Sequence, residues 1–286
     1  MVAFEVSGHG RRSHAIQLGA AMLWLVWPVA GIGEARAQGR LEARYQATLA
    51  GIAVAKGTWV IDIAEDRFTA SADGGSAGLL NAFAGGKGTS TAQGRVASGQ
   101  LVPVSYAATY ASDKKSATRI QFAGGNVKEA SVEPEPEPAP DRIALTDAHR
   151  RGVVDPMTGL LLQVPGTADP VSAEACNSSR AIFSGQMRFD LRFEYKRLET
   201  VKTRGYQGPA VVCSVYFTPI AGHVPDRPGI KYAAAQRNME VWLAPIAGTR
   251  VLVPYKVRSP TPLGLAVLEA TQFVSTAAVR TAAKSQ

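Results

Sequence analysis

Two segments of the chain alternate between apolar and polar residues with a period of two. The apolar positions are Leu41, Ala43, Tyr45, Ala47 and Leu49 in the first segment, and Met187, Phe189, Leu191, Phe193 and Tyr195 in the second. Successive side chains of a β-strand point to opposite faces of a sheet, whereas a helix would scatter both sets around its circumference. The pattern therefore predicts two amphipathic strands in an antiparallel sheet with one buried face.

Apolar and β-branched segments separated by turn residues recur along the rest of the chain. They span residues 53–63, 68–72, 89–97, 101–110, 117–122, 210–217, 238–243, 250–257 and 265–273. About a dozen short strands at this spacing are typical of an antiparallel sandwich or barrel. A twisted sheet of this size usually curls to protect its edges. We predict an all-β fold with minor α content, a large antiparallel open or incomplete β-barrel.

Three places interrupt the strand pattern. Gly78–Phe83 is compatible with a helical turn between strands, and the Pro/Glu repeat at 133–140 predicts an extended, solvated spacer because alternate residues lack an N–H group. A helical crossover is predicted within 142–163. Its second helix begins with Asp155 as N-cap and Pro156 in the first turn.

Residues 1–37 have the features of a cleaved signal peptide. Arg11-Arg12 forms a basic start, residues 13–33 carry no formal charge, and an A-x-A site ends at Ala37. Cleavage there makes Gln38 the first mature residue, exported by the Sec route to the periplasm. The alternative interpretation is an uncleaved membrane anchor, because the uncharged stretch is long enough to span a bilayer. After processing we expect no transmembrane segment.

Composition limits the remaining classes. The apolar fraction is 46% and the charged fraction 19%, which excludes a disordered chain and favours a single domain over residues 38–286. Removal of the leader leaves 28 basic and 21 acidic residues, a net charge of +7, which favours acidic partners such as lipid head groups or anionic glycans. The alternative, favoured because no run of five like charges is present, is an alternating-charge surface that is basic without such a partner. Nucleic acid is excluded as a partner because export separates the chain from it and no basic stripe with interleaved aromatic residues is present.

Cys176 and Cys213 are the two cysteines of the chain. In an exported protein such a pair is most simply a structural disulfide. The alternative is a redox pair, although a C-x-x-C motif is absent.

Several groups of residues carry a resemblance to a known family. They are Tyr45–Gly51 with Gly57–Trp59, Val154–Leu161, Phe183–Leu191, and Tyr206–Cys213 with Pro219–His223. In these residues the chain resembles a family of exported bacterial proteins known only as a domain of unknown function. The resemblance implies an incomplete antiparallel barrel with a helix against its open side, comparable by analogy with the lipoprotein-carrier group. It implies no activity.

Few residues are suited to catalysis. Gly74-Gly75-Ser76-Ala77-Gly78 matches the G-x-S-x-G pattern, and His149 and His223 are the two histidines that follow the leader. A hydrolase using Ser76 with His223 is therefore an alternative, although the nucleophile elbow needs a parallel α/β sheet. His223, in a loop after a strand, is a candidate functional residue or a turn-stabilising one. We predict no catalytic residue, metal site or cofactor.

The strand pattern favours a non-enzymatic binding protein. A barrel with many apolar inward positions and few convergent polar groups is suited to an apolar or amphipathic ligand, such as a lipid, or to another envelope component. The alternatives are an envelope structural or assembly factor that acts through protein–protein contacts, and the hydrolase that uses Ser76.

Overall fold

Two runs of antiparallel strands form one sheet in the computed structural model, which describes residues 38–78 and 85–277. The first run is β1 (Gly39–Leu49), β2 (Ile52–Ile63), β3 (Arg67–Ser76), β4 (Lys87–Ala97), β5 (Gln100–Ala111), β6 (Lys115–Ala123) and β7 (Asn126–Glu133). The second run is β8 (Leu162–Gln163), β9 (Ser178–Phe183), β10 (Arg188–Thr203), β11 (Tyr206–Ala221), β12 (Met239–Pro245), β13 (Val251–Thr261) and β14 (Gly264–Ala277).

The pairing of β1 with β14 joins the two runs. The strand order is β7-β6-β5-β4-β3-β2-β1-β14-β13-β12-β11-β10-β9, and the short β8 pairs with β13 outside this path. Every named pair is antiparallel, and the sheet does not close because β7 and β9 are its ends. The predicted fold class, an incomplete antiparallel barrel, is confirmed.

Helices contribute little. The described residues contain one α-helix, α1 (Pro228–Ala235), which follows β11 and has proline in its first turn. The crossover contains two single-turn 3-10 helices, Asp147–Arg150 and Thr158–Leu160, where the sequence predicted longer helices. A third 3-10 helix is Ala173–Cys176. In the part of the chain that the structure describes, no helix is long and apolar enough to cross a membrane.

Three further segments were predicted from the sequence: the spacer, the leader and a turn after β3. Residues 134–140 are neither strand nor helix and are largely exposed, as their proline content predicts. The leader, with its cleavage site between Ala37 and Gln38, lies outside the described residues except for Gln38 itself. The turn predicted at Gly78–Phe83 also falls outside them after Gly78.

The crossover touches both ends of the open sheet. The N–H of Val153 donates to the carbonyl of Gly125 beside β7, at 3.3 Å, and the N–H of Val154 donates to Ala181 on β9, at 2.9 Å. Backbone groups of both edge strands therefore find partners in the crossover instead of remaining open for intermolecular pairing.

Part of the second run is buried on both faces. On β11 and β12, Val212 and Trp242 belong to a core cluster shared with β1–β4, whereas Cys213 and Val241 belong to a second cluster. This second cluster includes residues from 162–176, among them Cys176. The apolar run 241–244 within β12 follows from this arrangement, since all four of its residues are buried.

The two segments that alternate in sequence, in β1 and β10, differ in how their apolar residues are buried. In β1, Leu41, Ala43 and Tyr45 are buried, as the alternation predicts. In β10, Phe193 is buried but Tyr195 is 48% exposed. The register of β10 against β11 shifts directly after Tyr195, which ends the regular alternation there.

Cys176 and Cys213 lie where the sequence predicts a disulfide. Their sulfur atoms are 2.05 Å apart and join residues separated by 37 positions. Because Cys176 ends the 3-10 helix Ala173–Cys176 and Cys213 lies in β11, the cross-link holds this helix on the sheet.

Replacing both Cys176 and Cys213 by alanine removes this cross-link. For a loop of 37 residues, the chain-entropy relation gives a loss of about 4 kcal/mol in the free energy of unfolding. Urea unfolding of the oxidised wild type, the reduced wild type and the double variant measures the difference. Reductant should leave the variant unchanged; a wild type that is equally insensitive to reductant contradicts the pairing.

Candidate functional site

A large open pocket lies at one end of the barrel. Its volume is about 790 Å³. Its lining comes from β1–β5, β13, β14 and the crossover. The aromatic and larger apolar lining residues are Tyr45, Val54, Trp59, Tyr106, Tyr110, Pro156, Met157, Leu160, Pro254, Val257 and Leu268. Pockets of this volume and composition accommodate drug-sized apolar molecules.

The pocket exists because inward-facing side chains become smaller along the strands. At one end of β1–β3 the buried residues are large, and at the other end the pocket-lining residues are small. The large residues are Leu41, Ile61, Ile63 and Phe68, and the small ones are Ala47, Ala55, Gly57, Ala72, Gly74 and Ser76. On β4, Gly88 and Ser90 are further small residues of the pocket lining. The large residues fill the barrel, whereas the small residues leave space.

One of these glycines is required by close packing of strands β2 and β3. A Cβ atom on Gly57 would lie 2.6 Å from the carbonyl oxygen of Asp73. A side chain at this position would therefore push β2 from β3, which is a reason for glycine in a strand interior.

The crossover also lines the pocket, and the buried carboxylate of Asp155 holds the turn that does so. One oxygen of Asp155 accepts the N–H groups of Met157 and Thr158, both at 2.9 Å, and the other accepts the Thr158 hydroxyl at 2.6 Å. These bonds fix the turn that places Pro156, Met157 and Leu160 against the pocket. Asp155 accepts these N–H groups as an N-cap would, but the predicted helix start at Pro156 is wrong. The helix after it is the 3-10 turn Thr158–Leu160, and its N-cap residue is Met157.

Two tyrosines that line the pocket have raised pKa values. Burial, and then the nearby charge of Asp155, raise the pKa of Tyr106 to about 12. Burial also raises the pKa of Tyr45, whose hydroxyl donates to the Pro254 carbonyl at 2.7 Å. Both phenols are neutral at physiological pH, so these walls offer an apolar surface.

Ser76 lies in the pocket wall, but its surroundings differ from a nucleophile elbow. It ends β3, and its hydroxyl accepts the N–H of Gly86 at 2.8 Å. The elbow requires a strand of a parallel sheet, whereas β3 pairs antiparallel with both neighbours. The hydrolase alternative therefore lacks the fold that its motif needs.

His223 lies away from the pocket lining. It is 7% exposed, and its carbonyl accepts the N–H of Ile143 at 2.9 Å. The side chain of Arg142 also donates to the carbonyl of Gly222 at 2.8 Å. These contacts attach the start of the crossover to the end of β11 through backbone carbonyl groups, not through the imidazole ring of His223. Ser76 is among the residues that line the pocket, whereas His223 is not.

A metal centre has no support in residues 38–78 and 85–277. No group of three or more His, Cys, Asp or Glu side chains there is placed to hold a metal ion.

Sequence reasoning did not find the pocket residues. Their strongest signal is the change in residue size within one period-two pattern, for example from Phe68 through Ala72 to Gly74 on β3. Because several successive inward positions become small here, the strand leaves space that larger side chains would fill. The contribution of Met157 and Leu160 depends on how the crossover folds back and had no comparable signal.

Comparison with known proteins places the chain in a family. The family described as "Protein of unknown function (DUF3108)" matches residues 44–271. The chain belongs to this family. The match extends from β1 to β14 and confirms the resemblance seen in the sequence.

No curated protein matches this chain. A similar solved structure is the crystal structure of a beta-barrel-like protein of domain of unknown function DUF1849 from Brucella abortus. Its TM-score is 0.44 at 7% sequence identity, covering 84% of this chain and 98% of that chain.

Two substitutions at Asp155 separate its hydrogen bonds from its charge. Asp155→Ala leaves the N–H groups of Met157 and Thr158 without their acceptor and is expected to lower the free energy of unfolding by about 2–4 kcal/mol. Asp155→Asn keeps an acceptor for both and offers a donor to the Thr158 hydroxyl, so its stability at pH 7 should equal or exceed that of the wild type.

The same variants test the protonation of Asp155. Burial raises its pKa above the unfolded value of 3.8, so the folded state holds the proton more tightly than the unfolded state. The contribution of Asp155 to stability is therefore largest at low pH and falls as pH rises from 3.8 to the folded pKa. Urea unfolding at several pH values should show this fall in the wild type and not in Asp155→Asn. Equal slopes in both proteins would rule out this assignment.

Proposed function

We propose that this protein binds an apolar or amphipathic small molecule in the pocket and catalyses no reaction. The observation that carries the proposal is the open cavity of about 790 Å³ with aromatic and aliphatic walls. Ligand pockets typically measure about 300–1,000 Å³ and are mainly apolar.

The distribution of polarity favours an amphipathic ligand. Trp59 and Met157 are buried residues of the pocket wall, whereas Tyr110 is 50% exposed and Lys56 and Asp73 border the pocket from exposed positions. An apolar tail is stabilised inside, where it replaces water against apolar surface, and a polar head remains near solvent.

The contacts at the sheet ends favour ligand binding over the assembly-factor alternative. Partner proteins often add a strand to an exposed sheet edge. Here the crossover residues Val153 and Val154 already contact β7 and β9, so part of each edge is occupied within the chain.

We also propose that the protein works in an oxidising compartment outside the cytoplasm, most simply the periplasm. The leader pattern at 1–37 supports export. The Cys176–Cys213 pairing supports an oxidising environment, since cytosolic thiols are kept reduced.

Filling the pocket tests the binding proposal. Ser90 lines the pocket between Ala72 and Ala108, so Ser90→Phe places a ring in the cavity with small neighbours. We expect at least about tenfold weaker binding of the fluorescent apolar probe 1-aminoanthracene, because the ring occupies the volume that the probe needs. Fluorescence titration measures the dissociation constant.

Thr91→Phe is the matched control. Thr91 is the next residue of β4 and is exposed, so its ring adds apolar surface outside the pocket. This variant should bind the probe like the wild type. Equal affinity in both variants, or no probe binding and no co-purifying ligand by native mass spectrometry, argues against the proposal.

Export has its own test. When the full chain is expressed in a Gram-negative host, we expect a periplasmic protein whose first residue is Gln38, as measured by intact mass and N-terminal sequencing. Replacing Ala37 by a bulky residue, Ala37→Phe, should block processing, while Gln38→Glu should not. A cytoplasmic protein of full mass would contradict export.

A further inference from the structure

The end of the barrel where the pocket opens is formed by neighbouring strand turns. We call this end, comprising the turns β1–β2, β5–β6 and β13–β14, the mouth. The N–H of Ala50 donates to the carbonyl of Leu265, at 2.9 Å, and joins two of these turns. The N–H of Ala77 donates to Val54, also at 2.9 Å, and connects the end of β3 to the start of β2. Backbone hydrogen bonds thus join the β1–β2 and β13–β14 turns directly and hold the end of β3 beside β2.

Large apolar side chains project from this rim. Leu263 in the β13–β14 turn is 76% exposed and Ile52 at the start of β2 is 59% exposed. Tyr110 near the end of β5 is 50% exposed and also lines the pocket. Single exposed apolar residues are ordinary, but Tyr110 lines the apolar cavity, and Ile52 and Leu263 lie at strand ends on the same end of the sheet.

Lysines stand beside these apolar residues. Lys87 and Lys115 both pair with Ala111 at the end of β5, and Lys114 lies in the adjacent turn; all three lysines are exposed. The ion pairs that lysines form among the described residues involve Lys128, Lys196, Lys231 and Lys256 instead. Within that part of the chain, the rim lysines remain available to an external anion.

We propose that the mouth docks on an anionic lipid bilayer, so that the ligand passes between the bilayer and the pocket. The inference rests on the proposed function, since it specifies where an amphipathic ligand comes from or goes to. Exposed Leu and Ile side chains insert at the boundary between head groups and acyl chains, and adjacent lysines bind anionic head groups. The pocket opening then faces the apolar layer.

The form of the rim favours a bilayer over a rigid partner. Ile52 and Leu263 lie at separate hairpin ends, whereas a protein interface usually has a continuous buried centre. A bilayer adapts to separate apolar tips, and its charged surface matches the lysines. A second copy of the chain would bring these lysines against their own equivalents, which costs electrostatic energy.

Vesicle flotation tests the docking. The purified protein should float with vesicles of phosphatidylethanolamine and phosphatidylglycerol (about 70:30) and bind phosphatidylcholine vesicles about tenfold less. Binding should also fall at 0.5 M salt, because salt screens the lysine contribution. A wild-type protein that binds 1-aminoanthracene but does not float overturns the docking and leaves the proposed function intact.

The apolar contribution is tested by the double variant Ile52→Asp/Leu263→Asp. We expect about tenfold less protein bound to the anionic vesicles, with probe binding in solution unchanged. Leu198→Asp/Val274→Asp is the control, because Leu198 and Val274 are exposed by 52% and 37% in the middle of β10 and in the half of β14 remote from the mouth. Equal loss in both double variants, with folding retained by circular dichroism, overturns the proposal.

The charge contribution is tested by the triple variant Lys87→Glu/Lys114→Glu/Lys115→Glu. It should lose flotation with anionic vesicles, whereas Lys128→Glu/Lys202→Glu/Arg204→Glu, with the same change of charge away from the mouth, should keep it. Light scattering of the wild type and the rim variants tests the self-association alternative. A dimer that the rim variants convert to monomer, without any vesicle binding by the wild type, overturns the proposal.

If 1-aminoanthracene fails to bind while flotation follows these expectations, the pocket function fails and membrane docking alone is retained.

Discussion

The pairing of β1 with β14 makes one structure from two runs of strands. Each run is a succession of local hairpins, but this pair joins residues more than two hundred positions apart, from Gly39 with Ala277 to Leu49 with Ala266. Without it, β1–β7 and β9–β14 would each present a long free edge. With it, the inward faces of both runs contribute to a shared core that includes Ala43 and Phe273. The pocket depends on this pairing because its walls come from both runs.

The interior is filled at one end and hollow at the other because of side-chain volume. Hydrophobic burial at Leu41, Ile61 and Phe68 stabilises the filled end. At the hollow end the backbone continues with the same pairing while the side chains shrink to Ala47 and Gly74. One end of the strands thus stabilises the barrel by burying large side chains, and the other end of the same strands leaves the space for the pocket.

The crossover has two roles that follow from its place between the sheet ends. It satisfies backbone groups beside β7 and β9 through Val153 and Val154, and it carries Met157 into the core. Asp155 links these roles because its carboxylate fixes the turn between them. The three donors offset part of the hydration that this carboxyl group loses, although burial still raises its pKa.

The sequence by itself determined most of the strands, though not β7, and the antiparallel class, because alternation with a period of two is a local property of consecutive residues. The family resemblance came from short motifs along the chain. It also indicated the cap at Asp155 and the pairing of Cys176 with Cys213. Only the tertiary structure decided the register, the partnership of β1 with β14 and the position of the crossover, since these depend on contacts between distant residues. The pocket depends on both. The small residues are visible in the sequence, but only the tertiary structure brings them together around one cavity with Met157 in its wall.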